Sequence, residues 1–324
     1  MKLVVDLLGS DLGIDELIDG VVNFKNKNPN VDIVAVGDIA KMAKLNGLAE
    51  LVNATDVVPM EAGPLEVMRK KDSSMYRAIE LVKQGKGDAV ISAGSTGGFL
   101  SASTLILKNA ENVKRAALVA PFPTKIKGKK VVILDIGASN ENSPEELFQF
   151  ALMGETYAKN VLGVEKPNIY LLSNGTEIGK GSPTGKQAYK LLEKLPNFKG
   201  NIEARNVLSG EADVVVTDGF TGNVLLKSTE GVAKMMSNMI KTIFKKNLWT
   251  KLGYLHVRKG MKDMSETMDY KSTGGAILLG INGVVVKAHG NSNAYAFECA
   301  LNVAKKMVES HIVNDISNGI KENG

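Results

Sequence analysis

The sequence predicts an α/β protein. It reads as an open, doubly wound α/β/α sandwich on a mostly parallel sheet, with a protruding basic amphipathic helical hairpin. Three observations predict this. Apolar, β-branched runs recur without polar alternation, as in strands buried on both faces. Amphipathic segments of helical period fall between those runs. One long stretch near residue 240 carries only basic charge and an apolar stripe.

The strand runs are KLVVD (Lys2 to Asp6), VDIVAVG (Val31 to Gly37), DAVIS (Asp88 to Ser92), KVVILD (Lys130 to Asp135), NIYLLS (Asn168 to Ser173) and DVVVTD (Asp213 to Asp218). Each ends in Gly, Ser or Asp, residues that leave a strand readily. Helices are expected at Ile14 to Lys27, Ser73 to Lys83, Gly97 to Lys108 and Pro144 to Val161. Ser143 before Pro144 is a helix start, with a capping hydroxyl and a proline in the first turn. β-α alternation of this kind favours a doubly wound sheet, with a TIM barrel as the runner-up. The chain shows no internal repeat and no linker-like tract, so a single domain over 1–324 is expected, with the hairpin inserted at 232–268.

Composition narrows the function. The chain has 324 residues, 44% of them hydrophobic, which is enough for a substantial core. One cysteine, Cys299, excludes an internal disulfide and fits a reducing compartment. With histidines only at 256, 289 and 311, no metal site is expected. Asp6 interrupts the first apolar run and argues against a signal peptide. The longest apolar stretch, Ile277 to Val286, is broken by Gly280, Asn282 and Gly283 and is too short to span a bilayer. A cytoplasmic protein is expected.

The net charge of +5 is local. Residues 231 to 262 hold Lys234, Lys241, Lys245, Lys246, Lys251, Arg258, Lys259 and Lys262 and no acid, so without them the body carries −3. Basicity confined to one segment argues against a nucleic-acid binder. Within that segment Met236, Ile240, Phe244, Leu248 and Leu252 follow at intervals of four, with Trp249 alongside. An apolar stripe flanked by lysines is the pattern of a helix lying at an anionic membrane surface. A helical hairpin at a dimer interface is the competing reading.

In an open α/β sheet, ligands bind beyond the carboxyl ends of the strands. SAGSTGG (92–98) follows a strand and opens a helix, where free amides favour an anion, so Gly94, Ser95, Thr96 and Gly97 are candidate phosphate contacts. DLLGSD (6–11) places Asp6 at a strand end, and DIGASNEN (135–142) brings Asp135 and Asn140. GTEIGKGS (175–182) is one residue short of a P-loop and lacks its Ser or Thr after the lysine. Lys180 is therefore read as an anion contact and not as part of a triphosphate site. DGFTGN (218–223) adds Asp218, Thr221 and Asn223, and KAHGNSN (287–293) adds His289 and Ser292. No GxSxG elbow is present, and Cys299 reads as the buried face of a helix, which points to direct transfer between two bound substrates.

These motifs together resemble the bacterial phosphate acyltransferases of phospholipid synthesis, the PlsX family. The matching stretches are DLLGSD, RKKDSSM (69–75), SAGSTGG, LDIGASN (134–140), QFALMG (149–154), GKG (179–181), NFKGNIEARN (197–206), GEADVVVTDGFTGNVLLKSTEG (210–231) and GGAILLGINGVVVKAHGNSN (274–293). They run in the family's order over nearly the whole chain, and the last two are the most specific. Departures occur where the family usually reads DAMGGD, SAGNTGA, DVGAN and NIGEE, so Ser95 and Ser139 each replace an expected Asn.

The resemblance implies a fold akin to phosphotransacetylases and isopropylmalate-type dehydrogenases, a homodimer, and no cofactor. It implies transfer of a long-chain acyl group from acyl-ACP to inorganic phosphate, giving acyl phosphate for a membrane glycerol-3-phosphate acyltransferase. Phosphate whose second pKa lies near neutrality is a competent nucleophile. A thiol of pKa about 8.5 leaves easily. On this reading SAGSTGG and Lys180 hold phosphate. Asn223, Thr221 and His289 face the thioester carbonyl, and Asp218 orients them. The alternatives are an acetyl- or butyryltransferase using acyl-CoA, a nicotinamide-dependent dehydrogenase, and a non-catalytic membrane scaffold.

Overall fold

The computed structural model describes residues 1–267 and 274–323. Its first half contains β1 (Lys2–Asp6), α1 (Ile14–Lys27), β2 (Asp32–Gly37), β3 (Glu50–Asn53), α2 (Pro64–Arg69), α3 (Ser74–Lys83), β4 (Ala89–Ser92) and α4 (Thr96–Leu107). Next come β5 (Ala117–Pro123), β6 (Lys130–Leu134), α5 (Pro144–Asn160), β7 (Ile169–Ser173), α6 (Pro183–Leu192), β8 (Phe198–Glu203) and β9 (Val214–Val216). The chain ends with α7 (Gly219–Lys245), α8 (Leu248–Thr267), β10 (Ala276–Leu279), β11 (Val284–Lys287), α9 (Ala294–Glu309) and α10 (Ile312–Asn323).

All described strands join one open sheet in the order β3-β2-β1-β4-β11-β10-β5-β6-β9-β7-β8, which excludes a TIM barrel. From β3 to β11 every pairing is parallel. From β6 to β8 every pairing is parallel as well. Between these blocks lie three antiparallel pairings, β11 with β10, β10 with β5, and β5 with β6. Three reversals leave the two parallel blocks running in opposite directions. The strand-end loops of one block therefore open on the opposite edge of the sheet from those of the other. At about 3.3 Å per residue, the seven residues of β5 set those edges roughly 20 Å apart.

Helices cover both faces. On one, α1, α5, α6, α9 and α10 bury Leu17, Phe150, Ala188, Phe297 and Ile316 against the sheet. On the other, α2, α3 and α4 contribute Val67, Ile79 and Phe99, and Leu225 and Leu226 of α7 pack at its far side. On this second face α4 packs on β11 and α7 on β6, and Leu278 of β10 and Leu118 of β5 are buried in the same core. Further along that face the small side chains Ala120 and Ala276 are half-buried.

The local signals explain the helices. Ser143 caps α5 in a complete capping box with Glu146, and Pro144 occupies the first turn. Asn293 caps α9 by accepting from the Ala296 amide. In α5, Gly154 allows a close approach to the sheet, because a Cβ there would stand 2.5 Å from Val214 Cγ1 and 2.9 Å from Leu134 Cδ2. In an open helix, Gly→Ala stabilises by about 0.5–1 kcal/mol. Here overpacking outweighs that gain, and Gly154→Ala is expected to lower stability by roughly 1–3 kcal/mol, read from denaturant midpoints. A midpoint that rises would show that the helix can shift away.

Candidate active site

Three strand-end loops of the first block are bonded into one unit. Ser10 Oγ and the Asp11 amide both donate to the Gly290 carbonyl, at 3.0 and 2.8 Å. The Ala288 amide donates to Ser92 O. Ser92 Oγ donates to Asp6 Oδ2 at 2.6 Å and accepts from the Gly94 amide at 3.1 Å. Asp6 also accepts from the Leu8 amide and from Ser74. Burial nevertheless pushes its carboxyl above the usual range, with the Ser74, Ser92 and Leu8 bonds and Lys287 pulling the other way.

The ladders place Asp6, Ser92, Lys287 and Ala276 side by side across β1, β4, β11 and β10. Extending the β10–β5 register adds Ala120 and then Ile133. Lys287 therefore projects onto the second face, next to Ala276. It is 5% exposed, and no other Lys or Arg among the described residues is buried. Its Nζ donates to the Ala288 carbonyl. Desolvation lowers its pKa to about 8, while Asp6 and Asp11 act to raise it.

Sequence reasoning missed Lys287 although it opens the quoted KAHGNSN loop. The available signal was a lysine closing an otherwise apolar strand, GVVVK. Ser74 and Ser92 were missed too. Their hydroxyls take the second position behind the loops, at sites that read as an ordinary helix start and strand end.

The candidate phosphate loop is laid out differently from the expectation. Ser95 is buried, caps α4 by accepting from the Gly98 amide at 3.3 Å, and donates to the Ala62 carbonyl at 3.2 Å. Its hydroxyl is committed to the fold. Gly94 is buried too, and a Cβ there would meet Met75 Cε at 2.7 Å. Thr96 and Gly97 are exposed, and their amides have no acceptor among the described residues. These are the donors that a helix start leaves open to an anion. His289 is half-buried in the adjoining loop, and Ser292 is buried, its amide donating to the His289 carbonyl.

Asp135, Asn140, Asp218, Thr221, Asn223 and Lys180 all lie on the opposite edge, at the ends of β6, β9 and β7. One chain does not bring them to the α4 start. Asp135 Oδ1 accepts from the amides of Leu118, Gly137 and Ala138, and Oδ2 accepts from the Ser139 amide and hydroxyl. It is fully buried, so it shapes its loop and presents no lone pair to a ligand. Gly219 and Gly222 let α7 start against that loop, where a Cβ would sit within 2.0 and 1.9 Å of the Ser139 and Asp135 carbonyls. Asp218 caps α7, accepting from the Thr221 amide and hydroxyl, both at 2.8 Å. Asn140 and Asn223 are exposed, with Asn223 standing over Gly137. Lys180 is exposed and its methylenes lie across Gly175.

The basic hairpin also differs in detail. Helix α7 starts at Gly219, well before 232, and packs on α8. Residue 268, the last of the expected insertion, lies outside the described residues. Ile240 and Phe244 are half-buried, and Phe244 makes an edge contact with Tyr254 at 5.2 Å. The expected Met236, Leu248, Trp249 and Leu252 are exposed, and so are Val232, Met235, Met239, Ile243, Tyr254, Leu255 and Val257. A strict i, i+4 stripe placed Ile240 and Phe244 outside because it ignored the partner helix. No described helix is long and apolar enough to cross a membrane.

The fold defines a class, an open α/β/α sandwich, and in it the loop that opens α4 leaves two backbone amides without an acceptor among the described residues. The solved structures agree on the fold. A phosphotransacetylase from Streptococcus pyogenes superposes with a TM-score of 0.63 at 17% identity, covering 96% of this chain and 94% of that one. A branched-chain phosphotransacylase from Enterococcus faecalis gives 0.60 at 15% identity, over 95% and 99%. Residues 1–315 match the family described as "Fatty acid synthesis protein". Curated phosphate acyltransferases are 43% identical in an Exiguobacterium species, over 98% of each chain, and 41% identical in Lactococcus lactis subsp. cremoris, over 96% of each. The chain belongs to the phosphate acyltransferase family, and its reaction is acyl transfer to phosphate.

Asp135→Ala would strand five donors behind the α7 start. It should cost roughly 2–4 kcal/mol in denaturant unfolding. A loss below about 1 kcal/mol would mean that water replaces the carboxylate there.

Proposed function

We propose that the enzyme transfers a long-chain acyl group from acyl-ACP to inorganic phosphate, and that phosphate sits at the start of α4. The observation that carries the phosphate position is the pair of open amides at Thr96 and Gly97, in the loop that follows the strand paired with the only buried ammonium among the described residues. A phosphate oxygen attacks the thioester carbon, the carbonyl electrons pass to oxygen, and the collapsing intermediate expels the carrier's thiolate. The amides and the α4 dipole stabilise the anionic nucleophile in place. His289, in the loop bonded to this site, is positioned for the developing oxyanion, and Ser292 holds its loop.

The opposite edge has a separate role in this reading. Lys180, Asn140 and Asn223 are exposed polar groups suited to the acyl donor's carrier, whose acidic surface a lysine attracts. Asp218 and Thr221 hold the start of α7. The acyl phosphate then supplies a membrane glycerol-3-phosphate acyltransferase for phosphatidic acid synthesis. The enzyme works as a single α/β/α domain and a homodimer in the cytoplasm. The exposed apolar side chains of α7 and α8, flanked by lysines, rest on an anionic membrane surface.

Initial rates with palmitoyl-ACP, palmitoyl-CoA and acetyl-CoA separate the donors. Phosphate-dependent release of carrier thiol is expected from palmitoyl-ACP, and turnover with acetyl-CoA alone would overturn the long-chain reading. Gly97 has open space around it, and an acid in a first helical turn favours the helix. Gly97→Asp should therefore fold normally and raise the phosphate KM by about tenfold or more, since it costs at least the ~1.4 kcal/mol of one charge-assisted bond. An unchanged KM would remove phosphate from α4. For the hairpin, Leu248→Glu with Leu252→Glu should abolish sedimentation with anionic liposomes. Undiminished sedimentation would assign that face to another partner.

A further inference from the structure

Lys287 is a buried ammonium at the end of β11. In the row across the sheet it lies between Ser92 and Ala276, with Ala120 next beyond Ala276. The loop that follows it is bonded to the loop after β1, and Ser92 connects both to the strand that leads into α4. We propose that Lys287 is the cation that binds the phosphate substrate, opposite the open amides of Thr96 and Gly97. This inference rests on the placement of phosphate at α4.

The geometry accounts for the choice of residue. A phosphate dianion held at a helix start needs more than two amides to replace its water. Lys287 Nζ has one bond to the Ala288 carbonyl, which leaves further N–H donors for an oxygen. The charged groups acting on it are Asp6 from β1 and Asp11 from the loop after it, both of which favour the ammonium, with His289 two residues further along its own loop. Asp6 is held by Ser74, Ser92 and the Leu8 amide, so it orients the lysine without needing to swing toward the substrate.

The consequence is a pH dependence of phosphate binding. Desolvation sets the free enzyme's Lys287 near pH 8, so it is charged at neutrality and loses its proton above that. Inorganic phosphate titrates near neutrality and is almost wholly the dianion above about pH 8, so its own titration does not interfere with the slope read there. Bound phosphate would hold the proton on, and binding must weaken once the free enzyme has lost it.

The test measures phosphate KM with palmitoyl-ACP, and phosphate affinity by calorimetry without donor, from pH 7 to 9.5. Wild type should weaken about tenfold per pH unit above roughly 8, the slope of a single proton. Lys287→Arg should stay flat, because guanidinium does not titrate in this range. Lys287→Gln should be weak at every pH. A flat wild-type profile overturns the assignment regardless of whether either variant folds, as does a Lys287→Arg enzyme that keeps the wild-type slope. Gly97→Asp separates the two readings. If it raises KM while the wild-type profile is flat, phosphate is at α4 without Lys287. If Gly97→Asp changes nothing, the α4 position itself is wrong.

Discussion

The reversal of strand direction across β10 and β5 is the constraint on which the rest of the molecule depends. Parallel blocks bury their strands between helices and collect their polar loops at one edge. Joining two blocks through three antiparallel pairings keeps the hydrogen-bond ladder continuous but sends the two collections of loops to opposite edges. The row of residues that crosses this reversal carries Asp6, Ser92 and Lys287 at the strand ends of the first block and the small side chains Ala276 and Ala120 on the middle strands.

Two buried carboxylates show how similar sequence signals serve different ends. Asp6 and Asp135 each close an apolar strand, and burial raises the pKa of both. Asp135 has all its acceptor capacity filled by four amides and one hydroxyl, so its energy goes into fixing a loop and seating α7. Asp6 has fewer donors and an ammonium within its field, so its charge remains coupled to a titratable neighbour. A saturated carboxylate is part of the scaffold, and an incompletely saturated one beside a cation is available to tune that cation.

Element identity was legible in the sequence because it is local. The helix at Ile14–Lys27 and the capped start at Pro144 appear where periodicity and capping chemistry put them. Strand direction was not legible, because an apolar run reads the same whichever way its neighbours point. That one missing piece moved Lys180, Asp218, Thr221 and Asn223 away from the loop they were expected to share with Ser95. Ser95 itself shows a second limit. A hydroxyl in a glycine-rich loop reads equally as ligand contact or helix cap, and only the Gly98 amide and Ala62 carbonyl decide for the cap. Lys287 shows the opposite limit, since a lysine at a strand end reads as solvated until the neighbouring strands bury it.

Length explains why the basic segment looks as it does. Helix α7 has 27 residues, about 40 Å at 1.5 Å per residue. Strand β6, on which it packs, has five residues, about 17 Å at 3.3 Å per residue. The first turns, with Leu225 and Leu226, bury themselves on the sheet, and the helix then runs out of sheet to cover. Beyond that point α8 packs on it and takes up Phe244 against Tyr254, while Met235, Met239 and Ile243 stay exposed. Apolar side chains left in this way along one continuous helix, with lysines beside them and no acid from 231 to 262, form a surface that the chain by itself does not cover. Because Asp218 caps the same helix under the Asp135 loop, whatever covers that surface is connected to the β9 edge by a helix with no break between them.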